Sequence, residues 1–191
     1  MQTSPTVSLA ASLGQPGLHL RRAHASDGPA VGAFLGRLSS RSRYFRFHGP
    51  CSGESPALRK LLCDVDGSLH QAWLAWTGTG PAAVVVGEAR FVMSPQERVA
   101  ELAIVVADEY QGTGLAQSLM RELLGAARAS GVTELYGEVM DSNARMQAFM
   151  RKHSFDVVRR QPGEVIRMSR HLQLAPSSAN CHEDADRRLA A

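Results

Sequence analysis

The segment from Glu101 to Leu124, ELAIVVADEYQGTGLAQSLMRELL, has the residue order that could do chemistry: an apolar strand, a short loop with two glycines, then a helix. The first N–H groups of a helix have no intrahelical acceptors and lie at the positive end of its dipole. A loop that opens directly into a helix can therefore hold phosphate oxygens. Gly112 and Gly114 let the backbone approach an anion closely, so an anion site is predicted where this loop opens into the helix. No Gly-Lys-Ser/Thr follows, which excludes a nucleotide P-loop, and the glycine spacing is not the GxGxxG of a dinucleotide fold. The competing reading is an ordinary strand-to-helix turn that uses glycine for its geometry.

The elements that must position this loop are legible on both sides of it. Leu18 to His24 reads as a first strand, and Ser26-Asp27 as the cap of a helix carrying Val31, Phe34, Leu35 and Leu38. One or two further helical segments are expected through Cys63. Short apolar runs at Gln71–Trp76, Ala82–Met93 and Val99–Val106, separated by TGTGP and SPQER, predict an antiparallel meander. Leu115, Leu119, Leu123 and Ala126 mark one face of a helix over Gly114–Ala129. A strand at Thr133–Val139, a helix at Asn143–Lys152 and strands at Phe155–Arg159 and Glu164–His171 complete a mixed α/β order. Asn143 has the type and place of an Asx N-cap.

The spacing Gln111-x-x-Gly114-x-Ala116 after a hydrophobic strand resembles the pyrophosphate-binding signature of the GNAT superfamily of N-acetyltransferases. Asn143-Ala-Arg-Met146 through Phe155 is similar to the second cofactor segment of that family. The resemblance spans Leu18 to Leu172. It implies a mixed, mostly antiparallel central sheet of about six or seven strands flanked by helices, with two strands splayed apart around the pantetheine arm of acetyl-CoA. On this chain Ile104, Val105 and Val106 would supply main-chain contacts to that arm, Gln111 to Ala116 would cradle the pyrophosphate, and Asn143 would join them. An N–H of the splayed strand would also polarise the thioester carbonyl. Two positions depart from the pattern: Ser154 stands where the family usually has glycine, and Met150 where many members have a tyrosine acid.

Acetylation of an amine needs a group to take up a proton, because such amines are mostly protonated at neutral pH. Glu101 is the candidate, as the lone charge in VAELAIVV. Strand alternation puts it on the face of Ala103 and Val105, opposite Leu102, Ile104 and Val106. An apolar setting there would disfavour its charged form and suit it to act as a base. A solvated glutamate near a strand end is the plainer alternative. SSRSRYFRF (Ser39 to Phe47), AELAIVV and NARM are together similar to the acetyltransferase domain of bacterial protein lysine acetyltransferases. In that group a glutamate matching Glu101 is the presumed base, and Arg43, Tyr44 and Arg46 would border the acceptor; an amphipathic helix with a solvated basic face is the competing reading of those three residues. At 191 residues, no room is expected for the regulatory domain often fused to such domains.

The remaining composition bounds these expectations. The chain is 44% hydrophobic and 20% charged with a net charge of +3, and its basic residues are scattered, which argues against a nucleic-acid binder. No apolar run suits a membrane span. Cys51, Cys63 and Cys181 are too few and too widely spaced for a disulfide framework or zinc site, so a reducing cytoplasm and no metal are expected. His48, His70 and His153 lack acidic or thiol neighbours at ligand spacing and read as surface or packing residues, as Trp73 and Trp76 read as packing. Residues 1–17 are expected to form a flexible lead-in, 18–172 the acetyltransferase domain, and 173–191 a polar flexible tail. The expected reaction is direct acetyl transfer from acetyl-CoA to an amine, with a protein lysine favoured over a small-molecule amine. A non-catalytic acyl-CoA-binding module is the reading from a different class, and oligomerisation is left open.

Overall fold

Near-continuous apolar runs form strands that are covered on both faces, and the middle of this chain contains three of them. The computed structural model describes residues 7–8, 17–49, 62, 65–160 and 165–173. The elements are β1 (Val7–Ser8), β2 (His19–Arg22), α1 (Gly28–Arg37), α2 (Ser40–Phe47), β3 (His70–Thr77), β4 (Val84–Met93), β5 (Val99–Val106), α3 (Leu115–Ala129), β6 (Glu134–Met140), α4 (Ala144–Lys152), β7 (Asp156–Arg160) and β8 (Val165–His171). The lead-in and tail expected at the two ends fall outside the described residues except at 7–8, 17 and 173, as does most of the segment expected to run helically to Cys63.

The strands form one eight-stranded sheet in the order β1-β2-β3-β4-β5-β6-β8-β7. β3, β4 and β5 are the expected antiparallel meander. β5 and β6 alone are parallel, and their register covers only Val99↔Glu134, Ala100↔Leu135 and Glu101↔Tyr136. Beyond Glu101 the strands part: β5 stays paired to β4 as far as Val106, and β6 to β8 as far as Met140. Among the described residues the facing edges from Leu102 and Gly137 onward have no strand partner. This is the splay that the family resemblance implied.

Paired residues share a face of a sheet, which sorts the two sides of this one. On one side Gly87 lies beneath α3, where an added Cβ would come within 3.1 Å of Leu119 Cδ1 and 3.3 Å of the Ala75 Cβ. Gly137 lies beneath α4 on the same side, since a Cβ there would stand 3.1 Å from Met150 Cε and 3.4 Å from Leu102 Cγ. Both helices can sit close to the sheet because these positions lack side chains. Leu115, Leu119 and Leu123 of α3 are fully buried, as the helical stripe predicted, and each contributes about 1.5–3 kcal/mol by burial. Met150 is fully buried as well. It packs beneath Gly137 in the wall of the cleft, and its thioether has no proton to give where a tyrosine would have one.

The other side carries α1 and α2. Glu88, Arg90, Ala103, Val105 and Glu101 fall on it by register, with Tyr136 beside Glu101 on β6. Trp73 and Trp76 are buried, with Arg22 and Arg21 guanidinium groups 5.1 and 4.6 Å from their rings, so their packing role holds.

Candidate active site

The parting of β5 and β6 opens a cleft of about 780 Å³, which reaches from α2 to the loop before α3. Glu101, Ile104, Val105, Val106, Gln111 and Asn143, together with Gly112, Gly114 and Ala116, all line it. The structure therefore brings the expected catalytic and binding residues into one space. Thr113 and Leu115 lie in the same loop without lining it: the Thr113 hydroxyl donates to Tyr110 O at 2.7 Å, and Leu115 is buried under the sheet.

The loop has the geometry of an anion cradle. Gly112 and Gly114 have φ of +84° and +92°, the left-handed region in which glycine alone is unstrained. Gly114 is the N-cap of α3 and uses no side chain to cap it. Among the described residues the N–H groups of Gly112, Thr113, Gly114, Leu115 and Ala116 find no backbone acceptor. Such a row of open donors at a helix N-terminus fits a phosphate. The Gln111 N–H differs, since it donates to Asp108 O at 3.2 Å. Its side chain acts as a junction: Nε2 donates to Ser42 Oγ and to Val106 O, both at 3.2 Å, and Oε1 accepts from Arg145 Nη1 at 2.8 Å. Gln111 thus ties the cradle to α2, β5 and α4 while remaining in the cleft wall.

Asn143 plays the capping role that its type suggested. Its Oδ1 accepts from Met146 N at 3.1 Å, and the residue faces the cleft as well. At the far end of α4, Ser154 adopts φ +62°, the conformation for which the family's usual glycine is suited.

Glu101 stands where β5 leaves β6. The apolar surroundings expected for it are absent: its side chain is exposed, because α2 and the sheet wall leave that part of the cleft open. Its Oε2 accepts from Tyr136 Oη at 3.4 Å. Burial, followed by the charge of Glu101, pushes the Tyr136 hydroxyl above its ordinary value, so Tyr136 remains a donor at neutral pH. The guanidinium of Arg167 lies 4.0 Å from the Tyr136 ring and donates to Glu138 Oε1 at 3.0 Å.

A buried ionic cluster beside Glu101 was not anticipated. Glu88 is 1% exposed. It accepts from Arg90 Nε through one oxygen and from Arg46 Nη2 at 3.3 Å through the other. Burial raises the Glu88 carboxyl, but the attraction of Arg90 and Arg46 outweighs it, and the group sits below its ordinary value. Arg90 also reaches Nε2 of the half-buried His70 at 2.9 Å, which joins that histidine to the network as a packing residue. The signal in the sequence was the Glu-Ala-Arg inside VVVGEARFV, two opposite charges at the strand spacing that puts them on one face.

α2 is fixed from its other end as well. Asp108, just after β5, accepts from Ser39 N at 2.9 Å, Ser39 Oγ at 2.8 Å and Ser42 Oγ at 2.7 Å. Burial raises the Asp108 carboxyl, yet these donors bring it below its ordinary value. Of the α2 residues expected to border an acceptor, Arg46 lines the cleft. Arg43 instead donates to the carbonyls at the end of α1, Leu38 O at 2.8 Å being the shortest, and Tyr44 is exposed outside the cleft. His48 ends α2 with φ +54° and lines the cleft, while His153 packs 4.7 Å from the Phe149 ring. No helix among the described residues is long and apolar enough to cross a membrane, and none of their His, Cys, Asp and Glu side chains form a metal-holding group.

Comparison with known proteins accords with this architecture. The chain is 36% identical over 114 residues to an acetyltransferase of Pseudomonas aeruginosa, covering 60% of this chain and 61% of that protein. It is 33% identical over 131 residues to the acetyltransferase Pat of Mycolicibacterium smegmatis, covering 68% of this chain and 38% of that one. The matches thus span less than two thirds of either relative. Among solved structures, the GNAT domain of S. lividans PAT superposes with a TM-score of 0.73 at 21% identity, over 81% of this chain and 90% of that domain, a likeness of fold. The model of the acetyltransferase (GNAT) family matches residues 40–155, from the start of α2 to the end of the α4 turn and so across the whole cleft, and the chain belongs to that family.

Proposed function

We propose that this protein transfers an acetyl group from acetyl-CoA to the side-chain amine of a protein lysine, with Glu101 taking up the proton that the amine gives away. The observation that carries this reading is the placement of an exposed carboxylate and an open amide cradle in a single cleft between parted strands. Acetyl-CoA supplies the activated acetyl thioester. The N–H groups of Gly112 to Ala116 fit its phosphates, and the unpartnered edge of β5 at Ile104 and Val105 offers donors and acceptors to its amide-bearing arm. The Val106 carbonyl is already engaged by Gln111, so its part falls to its N–H and side chain.

Two features support a protein lysine. The base is exposed, so a flexible side chain from a large partner can reach it. The segments SSRSRYFRF, AELAIVV and NARM also resemble protein lysine acetyltransferases. The Tyr136 hydroxyl keeps the Glu101 carboxylate oriented.

The test is acetylation of a mixed protein fraction and of a panel of small amines by the purified chain, read by mass spectrometry, alongside Glu101→Gln. Lysine labelling that needs acetyl-CoA and collapses in the variant, with CoA binding retained, is expected. Undiminished turnover by Glu101→Gln would refute the assigned base. Labelling confined to small amines would replace the acceptor, and tight binding with no labelling would make the protein a non-catalytic binding module.

A further inference from the structure

We infer that Arg145 is a second, cationic half of the phosphate site, closing on the anionic end of CoA from the α4 side opposite the amide cradle. The inference rests on the proposed use of acetyl-CoA and adds to it a side chain that the Gln-x-x-Gly-x-Ala signature does not contain.

Three observations converge on this residue. Arg145 lines the cleft from the first turn of α4. Its guanidinium lies over the loop: a Cβ built on Gly112 would stand 3.8 Å from Arg145 Nη2. Its one hydrogen-bond partner among the described residues is the neutral amide oxygen of Gln111, and it belongs to none of their ion pairs. Other cleft-side cations are engaged differently. Arg46 is neutralised by Glu88, and Arg41 rests 5.3 Å from the Phe45 ring.

The electrostatics give the arrangement its direction. Five N–H groups without a backbone acceptor among the described residues, and the positive end of the α3 dipole, already make the loop electropositive. A guanidinium beside them is unfavourable in isolation and becomes favourable with an anion between the two. Asp108, an acid in the same cleft wall, is occupied by Ser39 and Ser42. Gln111 holds Arg145 in advance: its amide is itself anchored on Ser42 and Val106, so the guanidinium is kept over the loop without being neutralised. A neutral anchor of this kind orders a long side chain before the ligand arrives, which reduces the entropy lost on binding.

The experiment is calorimetric titration of the whole chain and of Arg145→Gln and Arg145→Lys with CoA and with pantetheine, repeated over a range of salt. A charge-assisted contact of this kind predicts an affinity for CoA about 10- to 100-fold weaker in Arg145→Gln and a shallower salt dependence. Partial recovery is expected in Arg145→Lys, and pantetheine should bind all three proteins equally. Equal CoA affinity in the unchanged chain and Arg145→Gln would overturn this inference alone, as would a parallel loss for pantetheine, which would mark Arg145 as merely structural. Failure of the unchanged chain to bind CoA would overturn the proposed function and this inference together.

Discussion

The two ends of the cleft are built from different materials. At the loop before α3 the cradle itself is made of backbone N–H donors, set by the left-handed Gly112 and Gly114, with the single side chain of Arg145 over it. At the α2 end they are side chains, Glu101 with Tyr136 and the Arg46–Glu88–Arg90 cluster, drawn from four separate elements. A backbone site depends on local conformation and tolerates changes in side-chain identity. A side-chain site depends on which residues the sheet register sets together, and single substitutions disable it.

The largest effect should come from the side-chain end. Glu101→Gln is expected to lower kcat/KM by about 10²–10⁴-fold, the usual worth of a positioned proton acceptor, with acetyl-CoA affinity unchanged in titration. A matching loss of cofactor affinity would erase the division between the two ends.

Next in size is Glu88→Ala, which leaves Arg46 and Arg90 charged and buried without their shared partner. It should destabilise the fold by about 3–5 kcal/mol, read by urea unfolding. The same residue sets a pH dependence. Its folded carboxyl lies below the ordinary 4.5, so the stability it contributes is full above that pH and is lost as pH falls through the folded value. Acid unfolding of the unchanged chain should therefore steepen below about pH 4.5, and the dependence should weaken in Glu88→Gln.

At the backbone end, Gly114→Val forces a β-branched residue into the left-handed region, at a strain of about 1–2 kcal/mol. Acetyl-CoA affinity should fall by about tenfold as the loop relaxes. Unaltered affinity would mean that the cradle is only a turn. The smallest effect sharpens the comparison by lying outside both ends: Ser154→Gly relieves φ +62° and should stabilise the fold by about 0.5–1 kcal/mol, leaving cofactor affinity as it was.

Much of this architecture was legible locally. The β5 span matched its expected bounds, and α3 and α4 matched to within a residue, because apolar periodicity and capping residues act over a few neighbours. The eighth strand, the two-residue β1, lies within the expected lead-in, and a pair of residues carries too little pattern to be read. The exposure of Glu101 could not be read either. Alternation fixes which face a strand residue takes, but whether that face is covered depends on where α2 docks. The dual use of Gln111 was hidden for the same reason, since Ser42 and Arg145 reach it from positions 69 and 34 residues away.

The sequence by itself determined the strand–loop–helix unit, the need for glycine at 112 and 114, the capping by Asn143 and the side of β5 on which Glu101 stands. These follow from dihedral limits and side-chain periods that a short segment carries with it. Only the tertiary structure decided that β5 and β6 part after three pairs, that Glu88 lies buried between two arginines, and that Arg145 meets the glycine loop. Those are consequences of strand order and helix docking, which are settled by packing between segments far apart in the chain.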